Sequence, residues 1–235
     1  MNHDLKYEET NLDIRNQPTM APKVTVLITA YNVEKYIGRA IRSILNQSVE
    51  RATYEIIIVE DHSTDRTRFA LDVFKDEIRL IINKKRLGLP ASLNRGIRKA
   101  RGQFLVRLDG DDYVHRDFIK ILEMHLAMNE GIDAIACDYL FVDNNEKVID
   151  QVNCFERPIA CGIMFRIEQI IDIGLYDENF LIKEDEDLRI RFLKKFNIDR
   201  VKLPLYRYRR HNCNMTNNAE RVELFKKKLD EKHKG

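Results

Sequence analysis

Apolar and polar positions alternate along this chain in blocks that change period. Val24-Thr25-Val26-Leu27-Ile28 is a β-branched run that predicts a buried strand. Val33, Ile37, Ala40, Ile41, Ile44 and Leu45 then recur at helical spacing. Glu55 to Val59 predicts a second buried strand, and Ser63 or Thr64 would cap the next helix with Asp65 in its first turn. Phe69, Ala70, Val73 and Phe74 would be that helix's buried stripe. Ile78 to Ile82 predicts a third strand. Pro90 opens another helix, with Leu93, Ile97 and Ala100 inward and Gly102 at its end. A fourth strand over 103–108 follows. This β-α-β-α-β-α-β order predicts a mostly parallel central sheet with helices on both faces.

The second half is less regular. A helix is expected over roughly 115–128, with Phe118, Ile121, Leu122 and Leu126 inward. Ala134 to Val142 reads as a strand, and Asp143-Asn144-Asn145 as a turn before another. A strand over 159–165 and a short helix over 167–173 come next. Leu188, Ile190, Phe192, Leu193 and Phe196 mark a helix that starts at the acidic run 184–187. Residues 1–22, polar with Pro18 and Pro22, read as a flexible arm. Residues 217–235 read as a basic tail or helix, whose amphipathic stretch from Arg221 to Leu229 either touches anionic lipid or packs on its own domain.

Composition narrows the class. With 44% hydrophobic residues the chain can bury a core, and its 40 basic residues nearly balance 38 acidic ones. A net charge of +2 argues against a nucleic-acid binder. The four cysteines, Cys137, Cys154, Cys161 and Cys213, have no zinc spacing and read as buried free thiols of a reducing compartment. No stretch reaches the length of a membrane span, and the polar N-terminus has no signal-peptide core. The expected location is the cytoplasm, at most resting on the inner face of a membrane.

In open parallel sheets, ligands bind at the carboxyl ends of the strands. Three polar segments fall there: Thr29-Ala30-Tyr31-Asn32, Glu60-Asp61-His62-Ser63 and Asp109-Gly110-Asp111-Asp112. The last places three carboxylates in four residues, which repel one another unless a cation or solvent intervenes. Mg²⁺ is held by one or two carboxylates plus phosphate oxygens. Asp61 can accept from a uracil imide or a ribose hydroxyl, while Thr29 and Tyr31 offer backbone groups and a stacking face. The chain has no GxGxxG or GxxxxGK[ST] loop and only nine glycines, so a metal at Asp109, Asp111 and Asp112 would manage phosphate charge. Four successive acids at 184–187 exceed what helix capping requires, and one of them could act as a general base. His211, after Arg207 to Arg210, either is structural, completes a metal shell or meets a leaving diphosphate.

Taken together, Val24 to Gln47, Ile58 to Asp65, Gly88 to Gly102, Leu108 to Asp112, Glu184 to Arg191 and Tyr206 to Asn212 resemble the motifs of family 2 glycosyltransferases, in the expected order. The resemblance implies a GT-A fold: one Rossmann-like α/β domain over 23–216, with a nucleotide-binding half (23–112) and an acceptor half (113–216). It implies inverting, metal-dependent transfer from a nucleotide-sugar, by family habit a UDP-sugar, to a glycan or lipid-linked acceptor in surface polysaccharide synthesis. Thr29, Ala30, Tyr31, Asp61, Arg86 and Asp109 would bind the donor. Asp109 and Asp111 would form the DxD element, with Asp111 the preferred Mg²⁺ or Mn²⁺ ligand and His211 joining it. Asp185 would be the catalytic base, supported by Glu184 and Asp187. Two departures stand out: Glu60 and His62 replace the family's frequent Asp and Gly, and Arg86 stands where Asn is common. The rival readings are a sugar nucleotidyltransferase, which would need a Gly-rich basic loop after the first strand, and a non-catalytic glycan-binding protein.

Overall fold

The structure is a computed structural model that describes residues 21–211 and 219–234. Nine strands join in one sheet, in the order β3-β2-β1-β4-β8-β6-β9-β5, with β7 paired to β6. An all-parallel block comes from the first half: β1 (Val24–Ala30), β2 (Tyr54–Glu60), β3 (Arg79–Ile82) and β4 (Phe104–Asp109). β1, β2 and β4 are buried almost throughout because helices cover both faces, which is why their sequences read as continuous apolar runs. The helices α1 (Ile37–Leu45), α2 (Thr67–Asp72) and α3 (Leu89–Ile97) connect these strands. On α3, Pro90 sits in the first turn, and Gly96 lies so close to the sheet that an added Cβ would fall 2.3 Å from a methyl of Leu27.

The helix α2 differs from expectation. Phe69 and Val73 are 74% and 75% exposed, and the buried face is Thr67, Leu71 and Phe74. The phase is set by Thr67, whose hydroxyl accepts from Val33 N–H at 2.9 Å and so turns inward. Capping differs too. Asp65 accepts from Thr67 N–H, whereas Ser63 and Thr64 bond instead to Asn32.

Beyond β4 the pairing becomes mixed. β8 (Ile163–Arg166) runs antiparallel to both β4 and β6 (Ala134–Val142), and β7 (Val148–Val152) is antiparallel to β6. β9 (Ile198–Arg209) runs parallel to β6 and antiparallel to the two-residue β5 (Tyr113–Val114). The helices here are α4 (Phe118–Met128), α5 (Ile167–Asp172), α6 (Glu184–Leu193) and α7 (Ala219–His233). A solvated basic strand was one of the two readings of Arg207 to Arg210, beside phosphate neutralisation, but the rest of β9 was not expected as a strand. It mixes charged and apolar residues and carries Pro204, which the sheet accommodates by a register shift opposite Cys137 and Asp138. In α6 the buried anchors are Leu188 and Phe192, while Leu193 is 49% exposed. Cys137, Cys154 and Cys161 are buried and free; Cys213 lies outside the described residues, as do positions 1–20 of the expected arm. Among the described residues no helix is long and apolar enough to cross a membrane.

Candidate active site

Register brings the three polar segments together. Thr29 lies opposite Asp109, and Ala30 opposite Glu60, at the carboxyl ends of neighbouring parallel strands. At the β2 end, Asp61 is 4% exposed and holds the loop after β3. Its Oδ1 accepts from the Asn83 side chain and Leu87 N–H, both at 2.7 Å, and its Oδ2 accepts from Gly88 N–H at 2.9 Å. The Arg86 guanidinium, carried by that loop, lies 3.8 Å from the centre of the Tyr31 ring. Planar, cationic and aromatic groups thus meet where a base would stack. The two departures at 60 and 62 are accommodated locally. His62 takes the left-handed backbone conformation glycine favours (φ 61°), and the longer Glu60 side chain reaches Ser63 N–H and the Arg68 Nε.

The carboxylates after β4 have three different fates. Asp109 is forked by Arg107: Nε donates to Oδ1 at 2.8 Å and Nη2 to Oδ2 at 3.2 Å. Asp111 faces His211, whose Nε2 lies 2.8 Å from Oδ2 and whose ring stacks on Tyr36 at 4.9 Å. Asp112 is buried. It accepts from the Tyr206 hydroxyl at 2.6 Å and from Arg209 N–H at 2.7 Å, so it anchors β9 at the border of the cleft. Burial, with the charges of Asp111 and Asp109 adding to it, pushes the Asp112 carboxyl well above the usual range despite those bonds.

The acidic run opens α6, where acids favour the helix N-terminus. Glu184 is buried and accepts from Arg107 Nη1 at 2.9 Å. Burial raises its pKa to about 7, Asp185's charge adds to this, and Arg107 opposes it. Asp185 is half-buried and faces the cleft, and burial raises its pKa too. Glu186 pairs with Lys183, the left-handed residue (φ 69°) that precedes the helix. Asp187 does not line the cleft. It is fully buried on another face and bonded to Arg191, Lys232 and His233, so its place beside Asp185 in sequence does not bring it to the site. The helix period separates them: successive positions point about 100° apart.

One cleft of about 950 Å³ collects the rest. Thr29, Ala30, Tyr31, Asp61 and Arg86 line it, together with Asp109, Asp111 and His211 (its floor) and Glu184 and Asp185 (its acidic wall). Among the described residues no three His, Cys, Asp or Glu side chains converge as a ready-made metal group. The Asp111–His211 pair, 22% and 8% exposed at the side chain, still fits a hard divalent ion that draws its other ligands from phosphate and water. Arg107 and Tyr36 were missed in the sequence. Arg107 sits inside an apolar strand, and only its i, i+2 spacing from Asp109 places both on one face.

The profile of the family described as Glycosyl transferase family 2 matches residues 25–186. The chain belongs to that family. A relative within reach is the UDP-Glc:alpha-D-GlcNAc-diphosphoundecaprenol beta-1,3-glucosyltransferase WfgD of Escherichia coli, 27% identical over 187 residues, covering 76% of this chain and 72% of WfgD. In five other curated relatives the chain spans only 21% to 65% of the relative's length. Among solved structures, S. aureus TarS (residues 1–349) in complex with UDP-GlcNAc superposes with a TM-score of 0.73 at 19% identity, covering 88% of this chain and 65% of that one. The mannosyltransferase PcManGT from Pyrobaculum calidifontis, in complex with GDP-Man and Mn²⁺, gives 0.71 at 18% identity, covering 94% and 66%. The fold of this family 2 chain is therefore GT-A, in a single Rossmann-like domain.

Proposed function

We propose that this family 2 chain transfers a sugar from a nucleotide-sugar, UDP-linked, to a hydroxyl of a glycan or lipid-linked acceptor, with inversion at the anomeric carbon. The observation that carries the reading is that Asp111, with His211, and Asp185 line one cleft although they lie far apart in sequence. Tyr31, Arg86, Asp61 and the backbone of Thr29 and Ala30 would hold the nucleoside. Asp111 and His211 would hold Mg²⁺ or Mn²⁺ at the diphosphate, with Asp109 beside them on the donor side. When bound, such an ion neutralises charge developing on the leaving diphosphate. Asp185 would take the proton from the acceptor hydroxyl, whose oxygen attacks the anomeric carbon opposite the departing nucleotide. Glu184 would support it from the buried side. The UDP-GlcNAc and GDP-Man complexes of the structural neighbours support a nucleotide-sugar donor, and the diphosphoundecaprenol-linked acceptor of WfgD supports a lipid-linked acceptor.

That reading puts the reaction at the cytoplasmic face of a membrane. The helix α7 turns Phe225 and Leu229 toward the domain and leaves Leu224, Lys226 and Lys227 exposed, a face suited to anionic lipid. Sedimentation with anionic liposomes at low salt would show binding if this holds, and none otherwise.

A thermal-shift screen of nucleotide-sugars with Mn²⁺ tests the function. One donor should stabilise the chain in a metal-dependent way, and NMR of its product should show the inverted anomer. No stabilisation by any donor, or a retained anomer, would overturn the proposal.

A further inference from the structure

The geometry points to Arg107 as a positioning residue that apportions the cleft's carboxylates, holding Asp109 to the acidic turn of α6 and leaving Asp111 for the cation. This rests on the transfer reading above. The β4–β8 ladder ends at the Val106–Met164 pair, so Arg107 is the first β4 residue past it. Its side chain, 7% exposed, reaches from there to the start of α6. Three guanidinium bonds are committed: Nε and Nη2 to the two oxygens of Asp109, at 2.8 and 3.2 Å, and Nη1 to Glu184 Oε1 at 2.9 Å. Both partners line the cleft, although Glu184 lies 77 positions beyond Arg107 in the chain.

The consequence is a division of labour. Both Asp109 oxygens face a fixed cation, whereas Asp111 faces His211, a neutral or cationic ring that also ligates metals. One guanidinium between two carboxylates also sets the spacing of the donor floor and the wall that carries Asp185. A lysine keeps the charge but cannot fork, so it could satisfy one carboxylate and release the other. A purely structural ion pair would be replaceable without consequence for the cation site.

Arg107→Lys and the double variant Arg107→Met/Glu184→Gln separate these roles. The double variant removes both members of the buried pair, so that it folds even where a single Met substitution would strand Glu184. Mn²⁺ alone, followed by electron paramagnetic resonance, should bind about 3- to 10-fold more tightly to both variants, because Asp109 is freed to add a negative ligand. Transfer by Arg107→Lys should slow about 10- to 100-fold, with the folded fraction unchanged by circular dichroism. Unchanged or weaker Mn²⁺ binding in both variants, or wild-type transfer by Arg107→Lys, would overturn the inference. The Mn²⁺ measurement needs no donor, so a chain that transfers nothing would sink the transfer reading while the metal titration still judges the role of Arg107.

Discussion

The Tyr206 hydroxyl donates to Asp112 Oδ2 at 2.6 Å and accepts from Asp109 N–H at 3.3 Å, joining the end of β9 to the turn after β4. These residues stand 94 positions apart, and the bond explains why the third carboxylate of the cluster is structural. Tyr206→Phe leaves the ring's packing in place and takes from a buried carboxyl one of its two hydrogen bonds. The expected cost is about 1–3 kcal/mol in equilibrium urea unfolding. A midpoint equal to that of wild type would show that Asp112 does not anchor β9.

A gain of stability is expected at His62. Its φ of 61° strains a side chain that is itself exposed. His62→Gly removes that strain, and the extra freedom of the unfolded glycine offsets part of the gain. The net change should be a stabilisation of about 0.5–1 kcal/mol, read as a higher urea midpoint. A lower midpoint would mean that the imidazole makes a contact worth more than the backbone strain.

The helix α7 is fastened to the loop and helix that carry the acidic wall. Lys232 bonds to Asp177 and Asp187 at 2.8 and 2.6 Å, and His233 meets Asp187 at 2.9 Å. Burial alone would raise both carboxyls, but these bonds prevail: Asp177 falls to about 2 and Asp187 is lowered. A depressed folded-state pKa gives stability that is present above the unfolded value, about 3.9, and lost as pH falls through the folded one. Amide exchange over 223–233 should therefore accelerate between about pH 4 and pH 2. Asp187→Asn should show faster exchange already at neutral pH. Protection unaltered in both experiments would remove the clamp.

The acid limb of transfer should lie above the ordinary carboxylate range. Burial raises the base Asp185 above the ordinary Asp range, and raises Glu184 beside it to about 7, so the base gains its charge at a higher pH than a free carboxyl would. Below that the kcat/KM for transfer should fall. In Glu186→Gln the negative charge that adds to the rise of Asp185 is gone, and the limb should shift to lower pH. A limb near pH 4 in the wild type would contradict this electrostatic picture of the wall.

Much of the first half was legible because its strands are buried on both faces and its helices keep one period. Residues Val24 to Asp109 follow that logic, and the chemistry sits at the strand ends as open parallel sheets require. Where a polar contact sets the phase, the pattern misled: Thr67 bonding to Val33 N–H turned Phe69 and Val73 outward. β9 was hidden because a strand that carries Arg, Lys and Pro has no apolar run to announce it. At the cleft, residue type picked out Asp61, Asp111 and Asp185, which line it, but not the partners of the acids around them. Whether an acid faces the cleft, an arginine or a helix depends on contacts up to 100 positions away, as with Asp111 and His211. The positions of Asp112 and Asp187 were set by such contacts, and so was that of Arg107.

The account stands most directly on Asp185→Asn, assayed twice: donor binding with Mn²⁺ by calorimetry, and sugar transfer to acceptor under saturating donor. It predicts donor affinity close to wild type and transfer slowed by about 100- to 10,000-fold. Equal turnover by the variant would contradict it.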